Sequence, residues 1–77
     1  MSKLKLLPYR ELKKVAEKCG FKWARCVGSH NTFKNSQGKI VTIPDHGSQV
    51  IVRPLLRKII KDLGITPSQY QEIIENL

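Results

Sequence analysis

The chain has 77 residues, which is enough for one small domain and leaves no room for a second hydrophobic core. Fourteen lysines and arginines against six acidic residues give a net charge of +8, and the sequence has no apolar run of about 18 residues. Length and composition exclude a multidomain enzyme and a dinucleotide-binding unit. They also predict neither a membrane span nor a secretory signal, so we expect a cytoplasmic protein.

The positive charge is concentrated in the first 61 residues. These contain all fourteen basic residues and three acidic ones, a net charge of +11, whereas residues 62–77 contain three acids and no base. A body this basic attracts polyanions, of which nucleic acid is the commonest. An anionic membrane surface and a solvated surface without a partner are the alternatives.

The predicted elements follow the order helix, three strands, helix, short helix. After a lead-in over residues 1–8, Pro8 can open a helix whose apolar positions recur at helical spacing until Gly20. Strands are predicted over residues 21–27, 30–34 and 39–43. A second helix opens at Pro54 and stops at Gly64, and Thr66 begins a capping box for the third.

This order predicts an α+β fold with a three-stranded antiparallel sheet. Both main helices should cover one face of the sheet, because neither can bury its apolar stripe alone, and the other face stays open. We expect a single domain over residues 1–77, with the core in 9–65 and a C-terminal helix in 66–77.

The turn at residues 35–38 sets the register of the last two strands. A three-residue loop with Gly38 in the left-handed conformation places Phe33 opposite Val41 on the buried side and Thr32 opposite Thr42 on the open side. A slip by one residue would mix the two sets, so this register is favoured. The same alternation puts His30 on the open face.

Three further side chains are expected to be buried. Trp23 lies at an alternating strand position and is more simply a core residue than a base-stacking platform. Cys19 and Cys26 match no zinc-ligand spacing, and we expect small buried hydrophobic residues in a reducing compartment.

Gly28, Ser29 and His30 form the most informative tripeptide. Gly28 permits a tight turn, and histidine changes its charge near neutral pH. If strand pairing continues past Pro44, Gly28 faces His46 and the two histidines are diagonal neighbours about 7–8 Å apart. Such a pair can straddle a phosphodiester, one imidazole taking a proton from a ribose 2′-hydroxyl and the other protonating the leaving 5′-oxygen. The alternatives are a surface residue at position 30 and a polar turn residue at position 46.

Several basic side chains are candidates for the phosphates that flank such a site. Each of them alone is more simply a solvated surface residue, but their combined excess is hard to explain without a polyanion. The sequence suggests no metal and no cofactor. The candidate RNA-binding residues are Lys22, Arg25, Lys34, Arg57 and Lys61.

The order of these motifs resembles the HicA (YcfA-like) family of toxins over about residues 12–70. The resemblance is carried by Cys19-Gly20-Phe21, Gly28-Ser29-His30, Val41-Thr42-Ile43-Pro44, His46-Gly47 and Gly64-Ile65. It implies a fold like a double-stranded-RNA-binding domain, an mRNA interferase with His30 as its essential residue, and a HicB-like antitoxin that covers the active site. The chain departs from the family at Asn31, where His or Tyr is usual, and at Arg53-Pro54-Leu55, where Gly-Thr usually precedes the helix.

Two other functions stay open on the sequence alone. A non-catalytic RNA-binding module would share the basic face and the fold but would not need His30. A protein-interaction role is compatible with the first hypothesis, since the apolar segment 50–52 could add an edge strand to a partner.

Overall fold

The structure, a computed structural model, describes residues 4–77, so the first three residues of the predicted lead-in lie outside it. The α+β prediction is confirmed: one helix precedes a three-stranded antiparallel sheet, and two helices follow. Nowhere in residues 4–77 is a helix long and apolar enough to cross a membrane. The elements are α1 (Tyr9–Lys18), β1 (Lys22–Val27), β2 (His30–Lys34), β3 (Ile40–Pro44), α2 (Arg53–Leu63) and α3 (Pro67–Glu75).

The sheet has the order β1-β2-β3 and the predicted register between β2 and β3. Phe33 faces Val41, and the neighbouring pair on the opposite face joins Thr32 to Thr42. The turn that sets this register has Gly38 at φ 82°, and the Gly38 N–H donates to the carbonyl of Asn35 at 3.1 Å. A type I turn followed by a left-handed glycine therefore fixes which residues reach the core.

Helices α1 and α2 cover one face of the sheet and contact it mainly at β3. Their buried stripes meet the inward side chains of β2 and β3, so the core lies between the helices and these two strands. At the end of α2, Gly64 adopts the left-handed conformation, and Thr66 and Gln69 then form the predicted capping box of α3. The side chain of Tyr70 brings α3 into the same core.

The segment before α1 is part of the packed structure. Leu7 is only 2 % exposed, and its carbonyl accepts a hydrogen bond from the Ile51 N–H at 2.9 Å. The guanidinium of Arg53 donates to the carbonyl of Leu4 at 2.7 Å. One edge of residues 50–52 is therefore already occupied by the lead-in, and Ile51 is buried, whereas Val50 and Val52 are exposed.

Strand β1 lies outside the helical layer, and all six of its residues are exposed. The expected burial of Trp23 and Cys26 is wrong: Trp23 is 53 % exposed and Cys26 is exposed. Trp23 pairs with the buried Phe33 and so lies on the helix side of the sheet, but the helices do not extend over β1. Cys19 is half-buried, and burial raises the pKa of its thiol.

Candidate functional site

The site begins at the tight turn between β1 and β2. Gly28 adopts φ 61° there, a conformation that costs glycine little, and Ser29 completes the turn. His30 is the first residue of β2, it is exposed, and it pairs with Val27 on one side and Pro44 on the other. The register therefore places the His30 imidazole on the face of the sheet that the helices leave open, as predicted.

The carbonyl of Ser29 holds this turn in place. It accepts a hydrogen bond from the Asp45 N–H at 2.7 Å and a second from the Asn31 side-chain amide at 3.4 Å. Asn31 is buried on the opposite side of the sheet from His30, where its Oδ1 accepts from the indole N–H of Trp23 at 2.9 Å. The turn is thus tied both to the chain after β3 and to the edge strand.

His46 lies in the turn that follows β3. The carboxylate of Asp45 accepts from the Gly47 N–H at 3.0 Å, and Gly47 has φ 68°. Strand β3 ends at Pro44, so no ladder pair joins positions 28 and 46, but the bond between Asp45 and Ser29 extends the antiparallel approach by one residue. His46 is exposed and comes directly after the residue bonded to the Ser29 carbonyl, at the same end of the sheet as His30.

Three of the candidate basic residues share the open face with His30. Arg25 pairs with Thr32, which makes it a diagonal neighbour of His30 at a backbone distance of about 7–8 Å. Lys22 and Lys34 face each other four residues farther along, about 13 Å from His30 at the usual strand rise. All three are exposed, so the open face carries positive charge along its length.

The other two candidates are not brought to this face. Arg57 and Lys61 are exposed on α2, whose buried stripe packs against the opposite side of the sheet. The sheet therefore lies between these two side chains and His30. Both can contact a polyanion only on a surface separate from the one around the histidine.

A groove of about 600 Å³ lies between the start of α1 and the turn after β3, next to His46. The groove was not predicted from the sequence, because its two walls are far apart in the chain. The only sequence signal for it is the pair of basic residues on the exposed side of α1, Arg10 and Lys13, and such residues are common on helix surfaces. Burial, and secondarily the charge of Asp45, raise the pKa of the Tyr9 phenol in its wall. The lining residues are Pro8, Tyr9, Arg10, Lys13, Asp45, Gly47 and Ser48.

The open face brings the exposed imidazole of His30 together with cations rather than with metal ligands. Within residues 4–77, no three His, Cys, Asp or Glu side chains come together as a set that could hold a metal ion. What the open face offers is a group for proton transfer at His30 beside positive charge for an anion. An imidazole can transfer protons during cleavage of a phosphodiester, and cations can bind the phosphate group and stabilise its charge.

The chain matches a known protein family over most of its length. A family model described as HicA toxin of bacterial toxin-antitoxin matches residues 9–65, from the first residue of α1 to just beyond the glycine that ends α2. The matched region contains the Gly28-Ser29-His30 turn and His46. A search against curated proteins finds no significant match.

Proposed function

Because this chain belongs to the HicA family of bacterial toxins, we propose that it is an endoribonuclease that cleaves mRNA with His30 as an acid/base residue. Membership of the family makes it the toxin of a toxin–antitoxin system. The single observation that carries the ribonuclease proposal is the position of His30, exposed on a positively charged open face and held by a hydrogen-bonded turn.

The proposed reaction uses the ribose itself as the nucleophile. His30 takes the proton of a 2′-hydroxyl, the 2′-oxygen bonds to phosphorus, and the bond from phosphorus to the 5′-oxygen breaks. A second proton donor, for which His46 is the candidate, protonates the leaving 5′-oxygen, so that the products are a 2′,3′-cyclic phosphate and a free 5′-hydroxyl. Each proton transfer of this kind contributes about 10²–10⁴ to the rate.

This chemistry requires neither a metal nor a cofactor, because the nucleophile is supplied by the substrate. The negative charge that develops on the phosphate must be stabilised instead by cations. Arg25 is the nearest of the candidate basic residues along the sheet, and its guanidinium can donate two parallel hydrogen bonds to phosphate oxygens. Lys22 and Lys34 extend the same positive surface toward neighbouring phosphates.

We also propose that the antitoxin is HicB-like and that it inhibits by covering the open face. The exposed apolar side chains of Val27 and Ile40 support this, since both lie on that face next to the cations. A protein seated there would bury these two residues and exclude RNA from His30 at the same time.

The decisive test compares His30→Ala with the unsubstituted chain on a labelled RNA. We expect His30→Ala to lower the cleavage rate by at least about 10²-fold while circular dichroism and RNA binding stay unchanged. Cleavage by the unsubstituted chain should persist in EDTA and should fail on DNA of the same sequence, which lacks the 2′-hydroxyl. Lys39→Ala, at the far end of the sheet, is the control.

Two results would change the assignment. If His30→Ala cleaves as fast as the unsubstituted chain, His30 is not the acid/base residue. If neither protein cleaves RNA but both bind it with a strong salt dependence, the chain is a non-catalytic RNA-binding module.

A further inference from the structure

The groove beside His46 carries a net positive charge. Arg10 and Lys13 stand one turn apart on α1 and line the same wall. Across residues 4–77 the one ion pair within 4.0 Å joins Lys58 to Asp62, so neither cation of the groove has such a partner there. The groove keeps a net positive charge even when Asp45, on its opposite wall, is included.

The groove is also joined to the candidate catalytic turn. Its far wall is the chain from Asp45 to Ser48, and the Asp45 N–H donates to the Ser29 carbonyl at 2.7 Å, one residue before His30. His46 lies between two of the lining residues. The groove therefore begins at the turn that carries His46 and is tied by a hydrogen bond to the residue before His30.

We propose, building on the ribonuclease function above, that this groove binds a phosphodiester of the RNA that flanks the cleaved one. Arg10 provides the planar fork that matches phosphate oxygens, and Lys13 adds a second charge one turn away. The groove would thus fix the direction in which the substrate leaves the site.

Tyr9 has a supporting part in this groove. Its ring packs against the buried Phe33, with ring centres 6.4 Å apart, so the start of α1 is anchored to the core of the sheet. The phenol lines the groove, and its hydroxyl can donate a hydrogen bond to a phosphate oxygen.

The test measures binding without cleavage, so that it does not depend on catalysis. The probe is a fluorescent RNA oligonucleotide with 2′-O-methyl groups, which has no free 2′-hydroxyl. We compare Arg10→Gln/Lys13→Gln with Lys14→Gln/Lys39→Gln, a double variant with the same charge change at exposed positions outside the groove.

We expect the groove variant to bind at least about fivefold more weakly than the control variant. Its plot of log affinity against log salt should also be shallower by about 0.7, the change expected when the protein neutralises one phosphate fewer on a single strand. Equal affinities and equal slopes for the two double variants would overturn the proposal. Thermal unfolding of both variants shows whether Lys13, which is half-buried, is needed for folding.

Two variants that each remove one acidic side chain test whether the groove binds RNA more tightly when its negative charge is lost. Asp45→Asn removes the negative charge from the groove, and its side-chain oxygen can still accept from the Gly47 N–H. It should raise RNA affinity more than Glu75→Gln, which removes an exposed acid on α3, outside the groove. If the two variants change affinity equally, Asp45 acts only through net charge and the groove is not a phosphate site.

These outcomes are separate from the test of the ribonuclease function. If cleavage depends on His30 but the two double variants bind RNA equally, the groove proposal is contradicted and the ribonuclease proposal stands. If the protein does not cleave RNA but the Arg10→Gln/Lys13→Gln variant binds it more weakly than the control, the catalytic proposal is contradicted. The groove is then a binding site of a non-catalytic RNA-binding module.

Discussion

The indole of Trp23 and the side-chain amide of Asn31 are joined across β1 and β2 by a hydrogen bond of 2.9 Å. Asn31 is 7 % exposed, and its amide nitrogen reaches the Ser29 carbonyl at 3.4 Å on its other side. One buried side chain therefore links the exposed edge strand to the turn that carries His30. Both polar atoms of the Asn31 amide have hydrogen-bond partners in this arrangement. Histidine or tyrosine, which are usual in the family at this position, could not make the same two bonds because their donors and acceptors lie elsewhere on the side chain.

Replacing Asn31 by alanine should loosen both attachments. Asn31→Ala leaves the indole N–H of the half-exposed Trp23 to water and the turn without its inner support, so we expect the free energy of unfolding to fall by about 1–2 kcal/mol. Urea unfolding followed by the fluorescence of Trp23, the single tryptophan, measures it. Thr42→Ala, at an exposed position on the open face, is the control, and equal stability of the two variants would contradict the prediction.

The parts of the fold that sequence predicted well depend on neighbouring residues. Gly38 in a left-handed turn fixes the register of β2 and β3, and Thr66 and Gln69 form the capping box that begins α3. Each feature is decided by a few consecutive side chains and backbone conformations. The open-face position of His30 follows from the same register, which is why the candidate site could be located from sequence.

The features that sequence predicted poorly depend on how far one layer extends over another. Alternation correctly puts Trp23 on the helix side of the sheet, but it does not show that α1 and α2 stop short of β1. The groove of Arg10 and Lys13 was missed for a similar reason. It exists only because the start of α1 approaches the turn at Asp45, and these two segments are distant in the chain.

The lead-in before α1 should contribute to stability as much as a core element does. Leu7 is almost fully buried, and Leu7→Ala should lower the free energy of unfolding by about 2–4 kcal/mol through the cavity it leaves. Leu77→Ala makes the same chemical change at a half-exposed position and should cost less than about 0.5 kcal/mol. Chemical denaturation measures the free energy of unfolding of both variants. Similar unfolding midpoints would show that the lead-in contributes little to stability.

Tyr70 makes the stability of the protein sensitive to alkaline pH. Burial, with a smaller contribution from the charge of Glu11, raises the pKa of Tyr70 to about 12 from an ordinary value of 10.0. The folded state therefore holds the phenolic proton more tightly than the unfolded state. The resulting stabilisation is complete below pH 10 and is lost as the pH rises from 10 toward 12.

Tyr70→Phe isolates this effect, because phenylalanine has no proton to lose. Below pH 10 the variant should be less stable by about 1 kcal/mol, since the Tyr70 hydroxyl donates to the Lys5 carbonyl at 2.6 Å. Above that pH the difference between the two proteins should shrink. Unfolding free energies measured across this range provide the comparison, and a difference that stays constant would contradict the raised pKa.

His46 should act at the leaving group rather than at the nucleophile. On RNA, His46→Ala should slow cleavage by about 10²-fold or more while leaving the affinity for 2′-O-methyl RNA unchanged. A uridine 3′-phosphate ester of 4-nitrophenol separates the two roles, because its leaving group departs without protonation. On that substrate His46→Ala should recover most of the rate, whereas His30→Ala should stay slow because the 2′-hydroxyl still needs a base. A deficit of His46→Ala that is equally large on both substrates would mean that His46 does not supply the proton to the leaving oxygen.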